Sequence, residues 1–598
     1  MPNLPSRSTS RRVDAAAASG EGRPIATRRL RSRVKREVPA LLFSFLAACQ
    51  AAEGENSLRK ADYPREDAIV FLQAFDWPFA EVERRLPEIA EAGFTHIHVS
   101  PPQYVNEGDD WASEGKRDEW QWWRAYQPWD YRRLENYRGD ADRLASLVAA
   151  ARDRGLTVVA DLVLNQLGSH PDLANDPKRG GYFYPPGCDP DLPLGSDSPN
   201  SCLFFENGTS LADGSTSRHF QVPRRIGAGP SENQEYEDIC IAMRGQLSDS
   251  LPDLSTGRCR CGQGSDSDYD AQGNCLSQEF YDPEYQDWDG QVFEVAKAYV
   301  RRLQNLKTAD GRDGGLRAFR VDAGKHMDPK FIEALFGDPE IAAKVEFAYA
   351  EVIGNDTSPQ ILALHLDEGR LHQMNFPLVR QMQRAFRSTG DLRHLLAQSL
   401  DTESLRTAPP GRFLNFVMNH DIASNDGGLG YRFEDENVGS AGEDYEEIFR
   451  KEMLAYAYVF AQSGIPYVYS ELAEATPSTQ GYRPAASYVN FHLNAQLKAM
   501  IAFQKATFKE IAEVVSSLSG SDRDHLALRR GKGLLLLNKG QGAWQVQGPS
   551  GLPPGRYRDL LGGGEVRVSA EGRLETELPA SSAQMLLPIG ERAFSSKH

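Results

Sequence analysis

Positive charge is what this sequence has too little of. Against 84 Asp and Glu, its 598 residues carry 67 Lys and Arg, a formal net charge of -17. A surface of that sign repels nucleic acid and favours neutral ligands or cations. Cysteine is scarce too, seven in all. Cys49 apart, the other six (Cys188, Cys202, Cys240, Cys259, Cys261 and Cys275) fall in one 88-residue window. The CRC spacing suits tetrahedral zinc poorly and no His follows closely after His219, so zinc gives way to disulfides made in an oxidising compartment. Six cysteines allow 15 pairings, and their spacing chooses none.

The charge deficit is uneven. The first 48 residues hold ten basic and three acidic side chains, leaving 57 against 81, or -24, for the remainder. Within that basic leader, Arg31, Arg33, Lys35 and Arg36 precede PALLFSFLAA, which has the layout of a secretory signal and is too short to span a bilayer. Leu46, Ala47, Ala48 and Cys49 resemble a bacterial lipobox, so Cys49 is the expected site of lipidation; an ordinary signal cut near Ala52 is the alternative. The leader ahead of Val34 is long for either, which points to a true start further downstream.

The chemistry is concentrated in GLRAFRVDAGKH, Gly315 to His326. Its apolar residues Leu316, Ala318, Phe319 and Val321 read as a strand whose polar tip carries Arg320, Asp322, Lys325 and His326. Side chains two apart on a strand share a face, so Arg320 can aim Asp322 and keep it ionised as a nucleophile requires. A purely structural Arg and Asp pair would fit this motif alone equally well. Three more stretches add weight: DLVLNQ (Asp161 to Gln166), FAYAEVIG around Glu351, and FLNFVMNHD ending in Asn419, His420 and Asp421. Each is a short apolar run with a carboxylate at or near its end, in the order of barrel strands three, four, five and seven. Over Ile69 to Leu587 the chain resembles the α-amylases of glycoside hydrolase family 13, and four ordered motifs are far more specific than one.

The rest of the chain fits a (β/α)8 TIM barrel with an inserted disulfide-rich domain after strand three and a C-terminal antiparallel β domain. Ile69 to Phe75, the amphipathic Glu81 to Ala92 and Thr95 to Ser100 open it as strand, helix and strand. The expected divisions are a leader over 1–49, barrel over 66–166 and 283–505, an insertion over 167–282 and a β-sandwich over 506–590. The insertion is rich in Gly, Pro, Asp and Ser and lacks helical or strand periodicity. Between strands two and three, Trp111, Trp120, Trp122, Trp123 and Trp129 place five of eight tryptophans within 19 residues, mixed with charges that a core would not hold.

The resemblance implies roles. In the retaining pair, Asp322 is the nucleophile and Glu351 the acid and then base; Asp421 grips sugar hydroxyls, with His420 donating beside it. The apolar neighbours Phe347, Tyr349, Val352 and Ile353 should raise Glu351, whereas Arg320 should keep Asp322 low. WWRAYQPWDY resembles the loop of animal-type amylases: by that resemblance Tyr126 stacks on the cleaved sugar, Trp122 forms the neighbouring wall and Gln127 hydrogen-bonds, with Trp123 also in the substrate set. Arg320, Lys325, His326 and Gln166 complete the substrate set, Gln166 replacing the family's usual His. Calcium is implied at Asn165, Asp253 and the His326 carbonyl. Chloride is not expected: Arg320 and Asn419 match a chloride site, but its third position falls near Tyr467. The expected protein is a secreted, lipid-anchored bacterial monomer that cleaves α-1,4 bonds of α-glucan polysaccharide, touching membrane only through its anchor. A transglycosylase on the same barrel and a surface glycan-binding lipoprotein are the rival readings.

Overall fold

A computed structural model describes residues 68–105, 125–131, 133–166, 259–261, 279–281, 290–353, 362–363, 365–369, 371–395, 408–424, 445–472, 485–519 and 522–590. The leader with Cys49, Trp122, Trp123, Asp253, and the insertion apart from the paired segments Cys259–Cys261 and Glu279–Tyr281 lie outside the described residues.

Eight parallel strands close into a barrel in sequence order: β1 (Phe71–Ala74), β2 (His96–Val99), β3 (Thr157–Leu162), β4 (Ala318–Val321), β5 (Phe347–Ala350), β6 (His372–Met374), β7 (Phe413–Phe416) and β8 (Ile465–Ser470), which pairs back to β1. The longer helices among the described residues are α1 (Phe79–Ala92), α2 (Ala141–Arg152), α3 (Gly290–Gln304), α4 (Pro329–Gly337), α5 (Phe376–Ala385), α6 (Tyr445–Ala461) and α7 (Ala495–Thr507). α1 shows why such segments coil: Phe79, Val82, Leu86 and Ile89 recur on one buried face, and Gly93 ends it in the left-handed conformation. At α2 the Asp140 side chain accepts from the Arg143 N–H at 2.9 Å, capping the orphan donors of the first turn.

Strand six is only three residues, HQM, with no apolar run to announce it in the sequence. The closing helix starts at Ala495, capped by Asn494, and Val489 pairs with Glu471 beyond β8.

The barrel interior departs from the usual branched aliphatic filling. Phe71 stacks on His96 at 4.7 Å and meets Phe347 at 5.3 Å, while Phe347 stacks on His372 at 4.3 Å. His98, Tyr349 and Tyr467 are also buried in ring contact with one another. Flat rings fill the section with few rotatable bonds, leaving their polar atoms to support what lies at the strand ends.

Eight antiparallel strands form the C-terminal domain: β9 (Ala512–Val514), β10 (His525–Arg530), β11 (Gly533–Asn538), β12 (Trp544–Pro549), β13 (Gly555–Asp559), β14 (Glu565–Val568), β15 (Arg573–Leu578) and β16 (Ser582–Pro588), in the order β9-β10-β11-β16-β13-β14-β15-β12. The domain is fastened to the barrel by the wholly buried Arg530, which donates to the Glu510 and Gln462 carbonyls at 2.9 Å each and to the Gln504 side chain.

Just before β4, Gly315 passes so close to the end of α3 that a Cβ there would sit 2.1 Å from the Gln304 carbonyl oxygen. Gly315→Ala is therefore expected to cost about 2–3 kcal/mol in thermal or denaturant unfolding. An unchanged midpoint would show that this crossing is not tight.

Candidate active site

Active sites of parallel barrels lie at the C-terminal ends of the strands. Here those of β3, β4 and β5 converge on one cation. Register pairs Asp161 of β3 with Arg320 of β4, and Arg320 with Tyr349 of β5. Arg320 is 1% exposed. Its Nη1 lies 2.7 and 2.6 Å from the two oxygens of Asp161 and 2.7 Å from Oδ1 of Asp322. Its Nη2 is 2.6 Å from Oε1 of Glu351. A single buried guanidinium thus touches three carboxylates, a task suited to the planar fork of arginine.

Each carboxyl has a distinct setting. The Oδ2 of Asp322 is buried and accepts no hydrogen bond among the described residues. Beyond it Ala323 adopts φ 49°, a left-handed conformation rare outside glycine, and so begins the tight turn Gly324–His326. The backbone N–H of Ala323 reaches Oε2 of Glu351 at 3.4 Å. Glu351 in turn shares a side-chain hydrogen bond with Asp421. Asp421 stands in the first turn of the short helix His420–Ser424, its side chain 20% exposed, and accepts from Asn419 Nδ2 at 3.1 Å.

One positive charge cannot satisfy all these acids. Burial would raise Asp161, but Arg320 and then His98 hold it at about 2. Burial pushes Glu351 above the carboxylate range, as its apolar neighbours suggested, and Asp421 likewise, both against the pull of Arg320. For Asp322 the expectation needs correcting. Burial, with the negative charges of Asp161, Glu351 and Asp421, outweighs Arg320 and drives its pKa well up. The physical reason is division: Nη1 serves Asp161 twice and Asp322 once. These carboxyls titrate as a coupled set, so their protons belong to the group rather than to any one residue.

Tyr126, expected to stack on the sugar, lies within this cluster. The Tyr126 hydroxyl donates to Asp161 at 3.1 Å, and its ring lies parallel to His420, 5.3 Å away at 3°. Phe75 also stacks on His420, at 4.5 Å. Burial, then the charge of Arg320, lowers His420 to about 3, so it works as a neutral ring. The Gln73 amide contacts its Nδ1 at 2.9 Å. Gln166 is wholly buried, and its Nε2 donates to the Tyr126 carbonyl at 3.0 Å. Gln127 and Lys325 are half-buried and His326 is buried. Burial lowers Lys325, partly offset by the charges of Glu351 and Asp421.

Asn165 and His326 follow β3 and β4, neighbouring strands, and offer amide and carbonyl oxygens of the hard kind calcium takes. Among the described residues no three His, Cys, Asp or Glu gather as a metal cluster. Of the chloride candidates, Asn419 is engaged on both sides, its Oδ1 accepting from the Ile422 N–H at 3.0 Å. Tyr467 meets His98 at 2.7 Å.

Gln73, His98, the contact of Tyr467 with His98 and the anchoring role of Asp161 went unnoticed in the sequence. One signal was there: in HIHV, two histidines occupy alternate positions of an otherwise apolar strand and must therefore face the same way.

No protein-family model matches the sequence. An α-amylase of Aeromonas hydrophila is 27% identical over 493 residues, covering 80% of this chain and 85% of that protein. An α-amylase of Streptomyces violaceus is 23% identical over 563 residues, 92% of this chain and 79% of the other. Among solved structures, α-amylase I of Eisenia fetida superposes with a TM-score of 0.57 at 16% identity, over 87% of this chain and 97% of that one. An α-amylase of Geobacillus thermoleovorans, complexed with acarbose, gives 0.54 at 17% over 87% and 97%. At such identities the superpositions show the fold.

Carboxyls raised by burial add stability below their ordinary pKa and lose it as pH rises through the raised one. Glu351→Gln is therefore expected to stabilise the fold by about 1 kcal/mol at pH 7–8. Below about pH 4, where the acid is protonated folded or unfolded, the gain should vanish. Unfolding of both proteins across pH checks this, and a variant less stable at pH 8 contradicts it.

Proposed function

We propose that this chain, similar to α-amylases over most of its length, is a glycoside hydrolase of α-glucans that cleaves internal α-1,4 bonds of starch or glycogen with retention, through a glycosyl ester on Asp322. The observation that carries this is the Arg320 fork, with Asp322 on one nitrogen and Glu351 on the other. Such a bridge favours the short carboxyl spacing of retaining pairs, about 5 to 5.5 Å, over the roughly 6.5–9.5 Å that an inverting water requires.

The steps follow from the atoms. Arg320 holds Oδ1 of Asp322, leaving Oδ2 to attack the anomeric carbon. As that bond forms, the glycosidic C–O bond breaks and its oxygen takes the proton of Glu351, the acid that burial keeps protonated. Glu351, now a carboxylate, removes a proton from water; the resulting attack on the anomeric carbon frees Asp322 and regenerates the acid. Asp421, touching Glu351, holds sugar hydroxyls and supports the positive charge developing on the ring. The parallel rings of Tyr126 and His420 set the plane of the sugar.

Calcium, when bound, would supply charge and order at the junction of barrel and insertion. Asn165 and the His326 carbonyl would hold it, with Asp253 from the insertion. Chelation is expected to lower Tm by several degrees, restored by calcium and not by magnesium; an unmoved Tm would remove calcium from the account. Outside the barrel, the proposal extends to a cell-surface protein lipidated on Cys49, which the mass of the mature N-terminus decides.

The test of the reaction is reducing-sugar release from soluble starch, with the anomer of the first product followed by NMR. The α anomer is expected, together with a loss of about 10⁴-fold or more in kcat for Asp322→Asn. Longer or rearranged chains would identify a transglycosylase. Glycan binding without turnover in either protein would identify a binding lipoprotein.

A further inference from the structure

We propose that His98, oriented by Tyr467, is a positioning residue that divides the charge of Arg320 between Asp161 and the catalytic pair, and so sets the pH range of the site. The proposal rests on the hydrolase reading above.

One nitrogen is shared between two carboxylates. Arg320 Nη1 faces both oxygens of Asp161, at 2.7 and 2.6 Å, and Oδ1 of Asp322, at 2.7 Å. Whatever draws negative charge off Asp161 turns that nitrogen toward Asp322; whatever leaves Asp161 bare turns it away. Asp161 has two further neighbours able to donate: the Tyr126 hydroxyl at 3.1 Å and Nε2 of His98 at 3.3 Å. The His98 contact is bent as well as long, an electrostatic approach rather than a full hydrogen bond.

Which way the imidazole faces its proton decides the sign. His98 Nδ1 lies 2.7 Å from the Tyr467 hydroxyl. In the proposed tautomer the phenol donates and Nδ1 accepts, so that the ring proton stands on Nε2 toward Asp161. Burial keeps His98 neutral against the pull of Asp161. It therefore contributes an N–H dipole and adds no second buried cation beside Arg320. The groups that face this unit are Asp161 and Tyr126, Arg320 of β4 with Asp322 just beyond it, Tyr349 of β5 with Glu351 just beyond it, Tyr467 from β8, and His420 with Asp421 after β7. Tyr467 and His98 stand 369 residues apart, joined only by closure of the barrel.

The opposing view is that His98 simply fills the barrel, its ring packing against Tyr349 at 6.1 Å and Tyr467 at 6.0 Å. Tyr467→Phe separates the two views, since it keeps the packing ring and removes one oxygen. Without that donor His98 can place its proton on Nδ1 and turn a lone pair toward Asp161. Asp161 then claims more of Arg320, and both Asp322 and Glu351 feel more negative charge.

The test is the pH profile of kcat/KM on soluble starch, with KM and fold monitored, for the wild type, Tyr467→Phe, His98→Leu and His98→Gln. For Tyr467→Phe and His98→Leu, both limbs of the bell are expected to move to higher pH by about half to one unit. KM should change little, and His98→Gln, which keeps an N–H, should return the profile toward wild type. Activity reduced at every pH with unmoved limbs, or an unaltered profile, overturns the proposal. A second readout needs no activity: the ¹⁵N shifts of His98 in the full chain. They should report a proton on Nε2 in the wild type and a mixture in Tyr467→Phe; an Nδ1 proton in the wild type overturns the proposal. Lack of starch hydrolysis by the wild type would instead refute the hydrolase reading, leaving the ¹⁵N shifts to decide this one.

Discussion

The site depends on a single buried guanidinium. Arg320 is the cation at which Asp161, Asp322 and Glu351 meet, and Asp421 adds a fourth acid through Glu351. Four carboxyls about one such charge cannot all be ionised in a medium from which water is largely excluded. The fold resolves this by ranking them. Asp161 takes the larger part of the charge, Glu351 and Asp421 share a hydrogen bond, and Asp322 keeps one oxygen on Arg320 and one without an acceptor's duty. On the function proposed above, position alone would make an acid and a nucleophile of similar side chains.

Position comes from strand register. Asp161 and Arg320 are direct partners in β3 and β4, and Arg320 and Tyr349 in β4 and β5, so their side chains enter the same level of the barrel. Below them, rings of Phe71, His96, Phe347 and His372 fill the section and fix that level. Above them, the left-handed turn at Ala323 brings its N–H to Glu351. The strain at Ala323 is the local cost of setting Asp322 at the lip of the barrel with the chain already turning away.

Much of this was legible because it is local. The alternation in AFRV and the carboxylates at the ends of apolar runs placed Asp322, Glu351 and Asp421 at strand ends before any geometry was known. What was missed is what barrel closure creates. Gln73 meets His420 across 347 residues, and no local pattern marks that contact. The HQM strand is too short to carry a period, and half the strands of the C-terminal domain, such as GRYRD and RLETEL, show little apolar signal. The misjudged pKa of Asp322 has the same origin. Arg320 two residues earlier was visible, but its heavier commitment to Asp161, 159 residues away, was not.

The ranking of the acids is best measured by carboxyl ¹³C titration of the full chain, with Asp161, Asp322, Glu351 and Asp421 assigned from their Asn and Gln variants. The account requires Asp161 to stay ionised down to about pH 2 while Glu351 and Asp421 titrate together above the ordinary carboxylate range. Four independent titrations near the values of free Asp and Glu, at about 4, would mean that Arg320 does not organise the site.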